Sequence, residues 1–178
     1  MTPNYVSVYS DGNCIYITIE VRNTLLYRLL LLLCNLLLLL VLATAVYYRA
    51  VLPILIIAVA GMMLGKYTLW SLFGREIIKF NTKAFAFHYE YGFFKTRMVT
   101  FVVGRVLSCK GMPVRSGKKL RQQYLEFESL DGNDFPYVVY QASLPVTEKD
   151  TRKIQQLIDK IYVSKLAEEK VFSVVHLN

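Results

Sequence analysis

The chain has 178 residues, 54% of them hydrophobic, and a formal net charge of +8. Its three cysteines, Cys14, Cys34 and Cys109, have no C-x-x-C spacing, so neither a disulfide framework nor a zinc site is expected. The two histidines, His88 and His176, have no cysteine or carboxylate partner at ligand spacing, and no metal or cofactor is expected.

Residues 1–22 alternate apolar and polar side chains, YVSVYS and CIYITIEV around Asp11-Gly12-Asn13. Asp-Gly between alternating β-branched and aromatic residues predicts a β-hairpin. Val6, Val8, Ile15, Ile17, Ile19 and Val21 then share one face. An isolated hairpin is marginal in water, so this face is expected to pack on the domain that follows the apolar segments.

Leu29 to Tyr48 reads LLLLLCNLLLLLVLATAVYY and holds no charge. At about 1.5 Å per residue it reaches roughly 30 Å, the thickness of a bilayer core. A second apolar run starts at Val51 and continues toward Phe73. Residues 25–73 are therefore expected to form a transmembrane helical hairpin, with spans at 27–48 and 51–73. A cleaved signal peptide is not expected, because the first run starts late, exceeds a normal h-region and leads directly into another span. Arg22 and Arg28 precede the hairpin, Lys66, Arg75, Lys79 and Lys83 accompany or follow its end, and the connection has Arg49 alone. The positive-inside rule places both termini in the cytoplasm, in a multi-pass protein of the cell (inner) membrane. Tyr47, Tyr48 and Trp70 suit aromatic belts. Lys66 reads as a lysine snorkelling to the headgroups, with an intramembrane charge in a pathway as the alternative. Asn35 is placed to hydrogen-bond across to the second helix. Gly61 and Gly65 form a G-x-x-x-G, which allows close approach either of the first helix or of a partner's helix.

A soluble domain is expected over 74–166. REIIKF (75–80) and KAFAFHYEY (83–91) read as strands, the second with Phe85, Phe87, Tyr89 and Tyr91 on one face. His88 falls on the other face and reads as a surface or edge histidine. KTRMVTFVV (95–103) is a third strand, and 104–110 continues toward a fourth after a bend. YLEFESL (124–130) and FPYVVYQA (135–142) flank a second Asp-Gly turn at Asp131-Gly132. Pro136 marks an edge strand. Thr147 to Asp150 resembles a capping box, and Ile154, Leu157, Ile158 and Ile161 follow with helical spacing. The last segment, 167–178, reads as a short added strand or a sticky tail.

Antiparallel strands closed by one C-terminal amphipathic helix resemble a pleckstrin-homology-like (PH-like) barrel. GREIIKF, a strand, and the basic Gly-aromatic turn YGFFKTR resemble the start of bacterial PH-like domains attached to a two-helix membrane hairpin. The layout of two spans and a PH-like domain is also similar, more distantly, to photosystem I assembly factors. The resemblance implies a membrane protein of the α+β class, with a PH-like antiparallel barrel or sandwich closed by a helix. It further implies an interaction or lipid-contacting module.

Charge is the most site-like feature. Lys95, Arg97, Arg105, Lys110, Arg115, Lys118, Lys119 and Arg121 lie in one stretch without an acidic residue, a +8 that equals the net charge of the chain. Five of them, Lys110, Arg115, Lys118, Lys119 and Arg121, fall in 108–121, which Gly111, Pro113 and Gly117 are expected to keep irregular. Such a loop attracts anionic headgroups, docks an acidic protein, or simply stays solvated. No hydrolase, zincin or P-loop motif occurs, and no Cys/His pair with a predicted shared location. Glu126 and Glu128 share a strand face as a formal acid/base pair, but are expected on the solvent side with Leu125 and Phe127 inward. The expected function is a non-catalytic membrane-anchored adaptor, an accessory or assembly subunit of a larger membrane protein complex. Anionic-lipid headgroup binding through 108–121 is the alternative. Expected partners are membrane lipids and other integral membrane subunits, not nucleic acid or a small-molecule substrate.

Overall fold

A computed structural model describes residues 4–104, 106–114 and 122–175. Strands β1 (Tyr5–Ser10) and β2 (Ile15–Glu20) form the N-terminal hairpin, paired antiparallel from Tyr5 with Glu20 to Ser10 with Ile15. The connection spans four residues. Asp11 Oδ1 accepts from the amides of Asn13 at 3.0 Å and Cys14 at 2.7 Å, and Gly12 takes a φ of +91°. Ile15, Ile17 and Ile19 are fully buried, and Val6, Val8 and Val21 pack against the same core.

Helices α1 (Leu25–Tyr47) and α2 (Val51–Phe73) follow, each 23 residues and apolar enough to cross a membrane. Only 11% and 6% of their most apolar windows are buried within the protein, so neither is a buried core helix of this chain. Thr24 Oγ1 caps α1 by accepting from the Tyr27 amide. The turn at 48–50 is tight, with Arg49 at a φ of +54°. Across the pair, Asn35 Nδ2 donates to Thr68 Oγ1 at 2.7 Å, and Asn23 Nδ2 donates to the Ser71 carbonyl at 2.9 Å.

α2 runs without a linker into β3 (Gly74–Phe80), which pairs with β2 on one side and with β4 (Ala84–Tyr91) on the other. The far edge of β4 carries β5 (Phe94–Lys95) and β6 (Val99–Val102), so the expected third strand over 95–103 is broken at 96–98. The hairpin before α1 is therefore part of the same sheet as the strands after α2. In the second sheet β8 (Gln122–Leu130) is central. It pairs with β7 (Leu107–Pro113) on one edge, and with β9 (Pro136–Gln141) and β10 (Val146–Thr147) along the other. Ile78, Phe80 and Phe85 of the first sheet face Leu107, Cys109, Leu125 and Phe127 of the second across a common core.

Among the described residues the two sheets share no ladder, so the fold is a two-sheet α+β domain and not a closed barrel. Helix α3 (Glu148–Val175) closes one end, with Ile154 and Ile158 buried. Its cap is the expected one: Thr147 Oγ1 accepts from the Asp150 amide at 3.3 Å and donates to Asp150 Oδ2 at 2.6 Å. Tyr162 Oη accepts from the Leu107 amide at 2.9 Å, tying α3 to β7.

The second Asp-Gly turn forms between β8 and β9 as expected: Asp131 Oδ1 gathers the amides of Asn133 and Phe135, and the left-handed φ falls on Asp134 at +64°. Two local expectations are corrected. Residues 167–175 continue α3 rather than adding a strand or a loose tail. Residues 108–113, expected to be irregular, form most of β7, because Ser108 to Pro113 find ladder partners from Glu128 to Gln123.

Candidate functional site

The joint between helices and sheets is built by aromatic side chains. Trp70, one turn before the end of α2, packs on Tyr91 at 5.1 Å and edge-on to Tyr89 at 5.7 Å, both on β4. Gly74 allows this fit, since a Cβ there would stand 2.2 Å from the Trp70 carbonyl oxygen. Tyr27 and Tyr67 hydroxyls meet at 2.5 Å between the helix feet. Two hollows flank the joint. A groove of about 440 Å³ runs beside Leu69, Leu72 and Phe73, against the β4–β5 turn and three arginines, Arg22, Arg28 and Arg75. On another face of α2, a cavity of about 470 Å³ is lined by Met63, Lys66, Tyr67, Trp70, Tyr89, Tyr91, Ser143 and Leu144.

Behind that cavity lies a carboxylate that sequence reasoning missed. Glu76 sits on the inward face of β3 with Ile78 and Phe80, and no part of it reaches solvent. Tyr140 Oη donates to Oε1 at 2.6 Å, Ser143 Oγ to Oε2 at 2.8 Å, and the amides of Ser143 and Leu144 complete the shell at 3.1 and 3.3 Å. Burial raises the Glu76 pKa above its usual value, against the opposing pull of these hydrogen bonds. Tyr140 and Tyr89 share a 2.8 Å hydroxyl contact, and burial followed by the Glu76 charge pushes the Tyr140 hydroxyl far up. The phenol is thus a fixed donor, and the network bolts the two sheets together. The signal was the alternation Gly74, Glu76, Ile78, Phe80, which puts Glu76 on the apolar face.

The basic segment reads differently in the fold. Lys110 lies on β7 and its ammonium is held by Glu128 on β8. Arg115, Lys118, Lys119 and Arg121 lie outside the described residues. The carboxylates Glu126 and Glu128 are not both at the surface. Leu125 and Phe127 point inward as expected, but Glu126 is buried too, because β8 is flanked by Lys110 of β7 and Gln141 of β9. His88 is likewise buried and not a surface residue. It stands opposite Ile77 in the ladder, and Glu90 Oε1 lies 3.4 Å from Nε2. Glu90 also takes the Lys95 ammonium at 2.7 Å, which with the His88 contact holds its carboxyl below the usual range.

Asn35 bonds across the helix pair as expected, through Thr68. The two glycines divide. A Cβ on Gly61 would meet Leu38 of α1 at 3.2 Å, whereas one on Gly65 would meet open space. Gly61 therefore serves the internal contact, and Gly65 leaves a small bare spot on α2 beside the β4–β5 turn.

A third feature is an apolar seam where β6 and β9 come alongside. Phe101 stands opposite the buried Phe85 in the ladder and stacks on Phe87 at 6.2 Å, so it belongs to the inner face of the first sheet. Yet Phe101 is 39% exposed and Val99 41%, and Val102, on the outer face of β6 opposite Ala84, is 81% exposed. On β9, Tyr137 and Val138 are exposed beside the turn residue Phe135, and Tyr137 Oη donates to the Val102 carbonyl at 3.4 Å. Among the described residues, no group of three or more His, Cys, Asp or Glu side chains is placed to hold a metal. Set against known protein families and curated proteins, the chain matches none.

Proposed function

We propose that this protein is a membrane-anchored, non-catalytic interaction subunit. In this reading α1 and α2 cross the cell (inner) membrane, both termini lie in the cytoplasm, and the PH-like two-sheet domain docks onto another integral membrane protein as an accessory or assembly factor. The length, apolarity and bareness of the two helices support the anchor. The observation that carries the docking role is the open seam. Phe101 and Val99 on the inner face of β6 stay partly in solvent, and the outer-face side chains Val102 and Val138 extend them into one exposed apolar patch. Edge strands that end beside such a patch offer unpaired backbone to an incoming segment.

Purification in a gentle detergent followed by mass analysis tests this. The wild-type protein is expected to bring down a membrane protein in fixed ratio. A Val102→Asp, Val138→Asp double variant is expected to lose that partner while its melting temperature holds. A wild-type protein that runs free, or a double variant that keeps the partner in full, would overturn the docking role.

A further inference from the structure

We infer that the groove at the foot of the helices is a seat for one membrane phospholipid, with the lipid phosphate on the Arg28 guanidinium and an acyl chain along Leu69 and Phe73. The inference rests on the anchor reading above and not on the docking role. Its first support is an unpaid polar group. Arg28 lines the groove one turn into α1, and its Nε is sealed from solvent with no hydrogen-bond partner. A buried, unsatisfied N–H costs about 1–3 kcal/mol, and more on a charged group, so it needs an acceptor. Arg28 already lines the groove, where a phosphate accepts from its guanidinium in the planar, forked geometry that arginine favours.

Among the described residues, no carboxylate bordering the groove is free for that role. Two carboxylates border the groove, and each is already held: Glu20 by Arg75 at 3.1 Å and Glu90 by Lys95 at 2.7 Å. The second support is the opposite wall. The β4–β5 turn presents Phe93, wholly exposed, and Phe94, largely so, beside Phe73 of α2. Gly92 at a φ of +62° makes the turn, with its open side 3.6 Å from the Phe73 Cβ. Two bare phenylalanines beside the last turn of an apolar helix are continuous with a surface that needs lipid. Cation and apolar wall meet where a span of this length ends, which is headgroup level.

The test uses the full chain in detergent, stripped of lipid and re-exposed to dioleoyl phosphatidylglycerol, with retained lipid counted by native mass spectrometry. The wild type is expected to retain one lipid per chain. Arg28→Gln is expected to weaken retention by about tenfold, the loss of one charge-assisted hydrogen bond. Phe93→Ser, at a position outside the core, is expected to weaken it several-fold with the melting temperature unchanged, and it decides the matter if Arg28→Gln does not fold. Inorganic phosphate at millimolar concentration is expected not to displace the lipid. Equal retention by wild type and Phe93→Ser, no retention by the wild type, or displacement by inorganic phosphate would overturn the inference. Alkaline extraction of membranes reads the anchor separately: protein released into the soluble fraction would contradict the anchor itself, whereas protein that stays with the membrane but holds no lipid contradicts only the groove.

Discussion

Tyr140 Oη donates a 2.6 Å hydrogen bond to Glu76 Oε1, joining the second sheet to the strand that follows helix α2. Among the described residues, this carboxylate's hydrogen-bond shell consists of two hydroxyls and two backbone amides, without a cationic side chain. A buried carboxylate held this way binds its proton more tightly in the fold than in the unfolded chain.

The pH dependence follows with a definite sign. The Glu76 contribution is fully present below the ordinary value of 4.5 and is lost as pH rises through the raised folded value. The melting temperature of the wild type relative to Glu76→Gln is expected to be highest below pH 4.5 and to fall toward neutral pH. Taking the difference cancels Glu90, whose lowered pKa slopes the other way. A wild-type-minus-variant difference that stays flat or rises with pH would contradict the account.

The N-terminal hairpin is part of the domain's core, so truncating it is expected to be felt across the spans. Ile17 is fully buried and pairs with Ile78 in the ladder. Ile17→Ala is expected to cost about 2–5 kcal/mol. Thermal unfolding of the detergent-solubilised chain measures this. Tyr9→Ala on the exposed face is the control and is expected to shift stability by less than about 0.5 kcal/mol. Equal melting temperatures for Ile17→Ala and wild type would show that the hairpin does not stabilise the sheet.

Cys109 reports on the same core by chemistry. Burial pushes its thiol up to about 12, which leaves almost no thiolate at pH 8. Maleimide is expected to label Cys109 only after unfolding, at a rate that follows the fraction unfolded. Cys14, partly exposed in the hairpin connection, is expected to react in the native protein. Rapid native labelling of Cys109 would contradict the packing of β7 on the first sheet.

Elements that obey one period were legible in the sequence. Strict alternation marked Ile15, Ile17 and Ile19, and 3.6-residue spacing marked Ile154 and Ile158, because each pattern needs only a local face and a core to meet. Asn35 was legible because a polar group between leucines has few places to go. Glu76 was not, since its donors Ser143 and Leu144 stand 67 and 68 residues away in the chain. Glu126 and His88 misled for a related reason: alternation tells which side of a strand a residue takes, not whether neighbouring strands cover that side. The seam was hidden too, because the exposure of Phe101 and Val138 depends on how two separate sheets pack on each other.

The central claim is that the β6–β9 seam is a contact surface for another membrane protein, and crosslinking in intact membranes tests it most directly. A photoreactive p-benzoylphenylalanine is placed at Val102, with Ser7 on the exposed side of β1 as the control position. The account predicts one discrete adduct with a membrane protein from position 102 and none from position 7. No adduct from 102, or the same diffuse pattern from both positions, would contradict it.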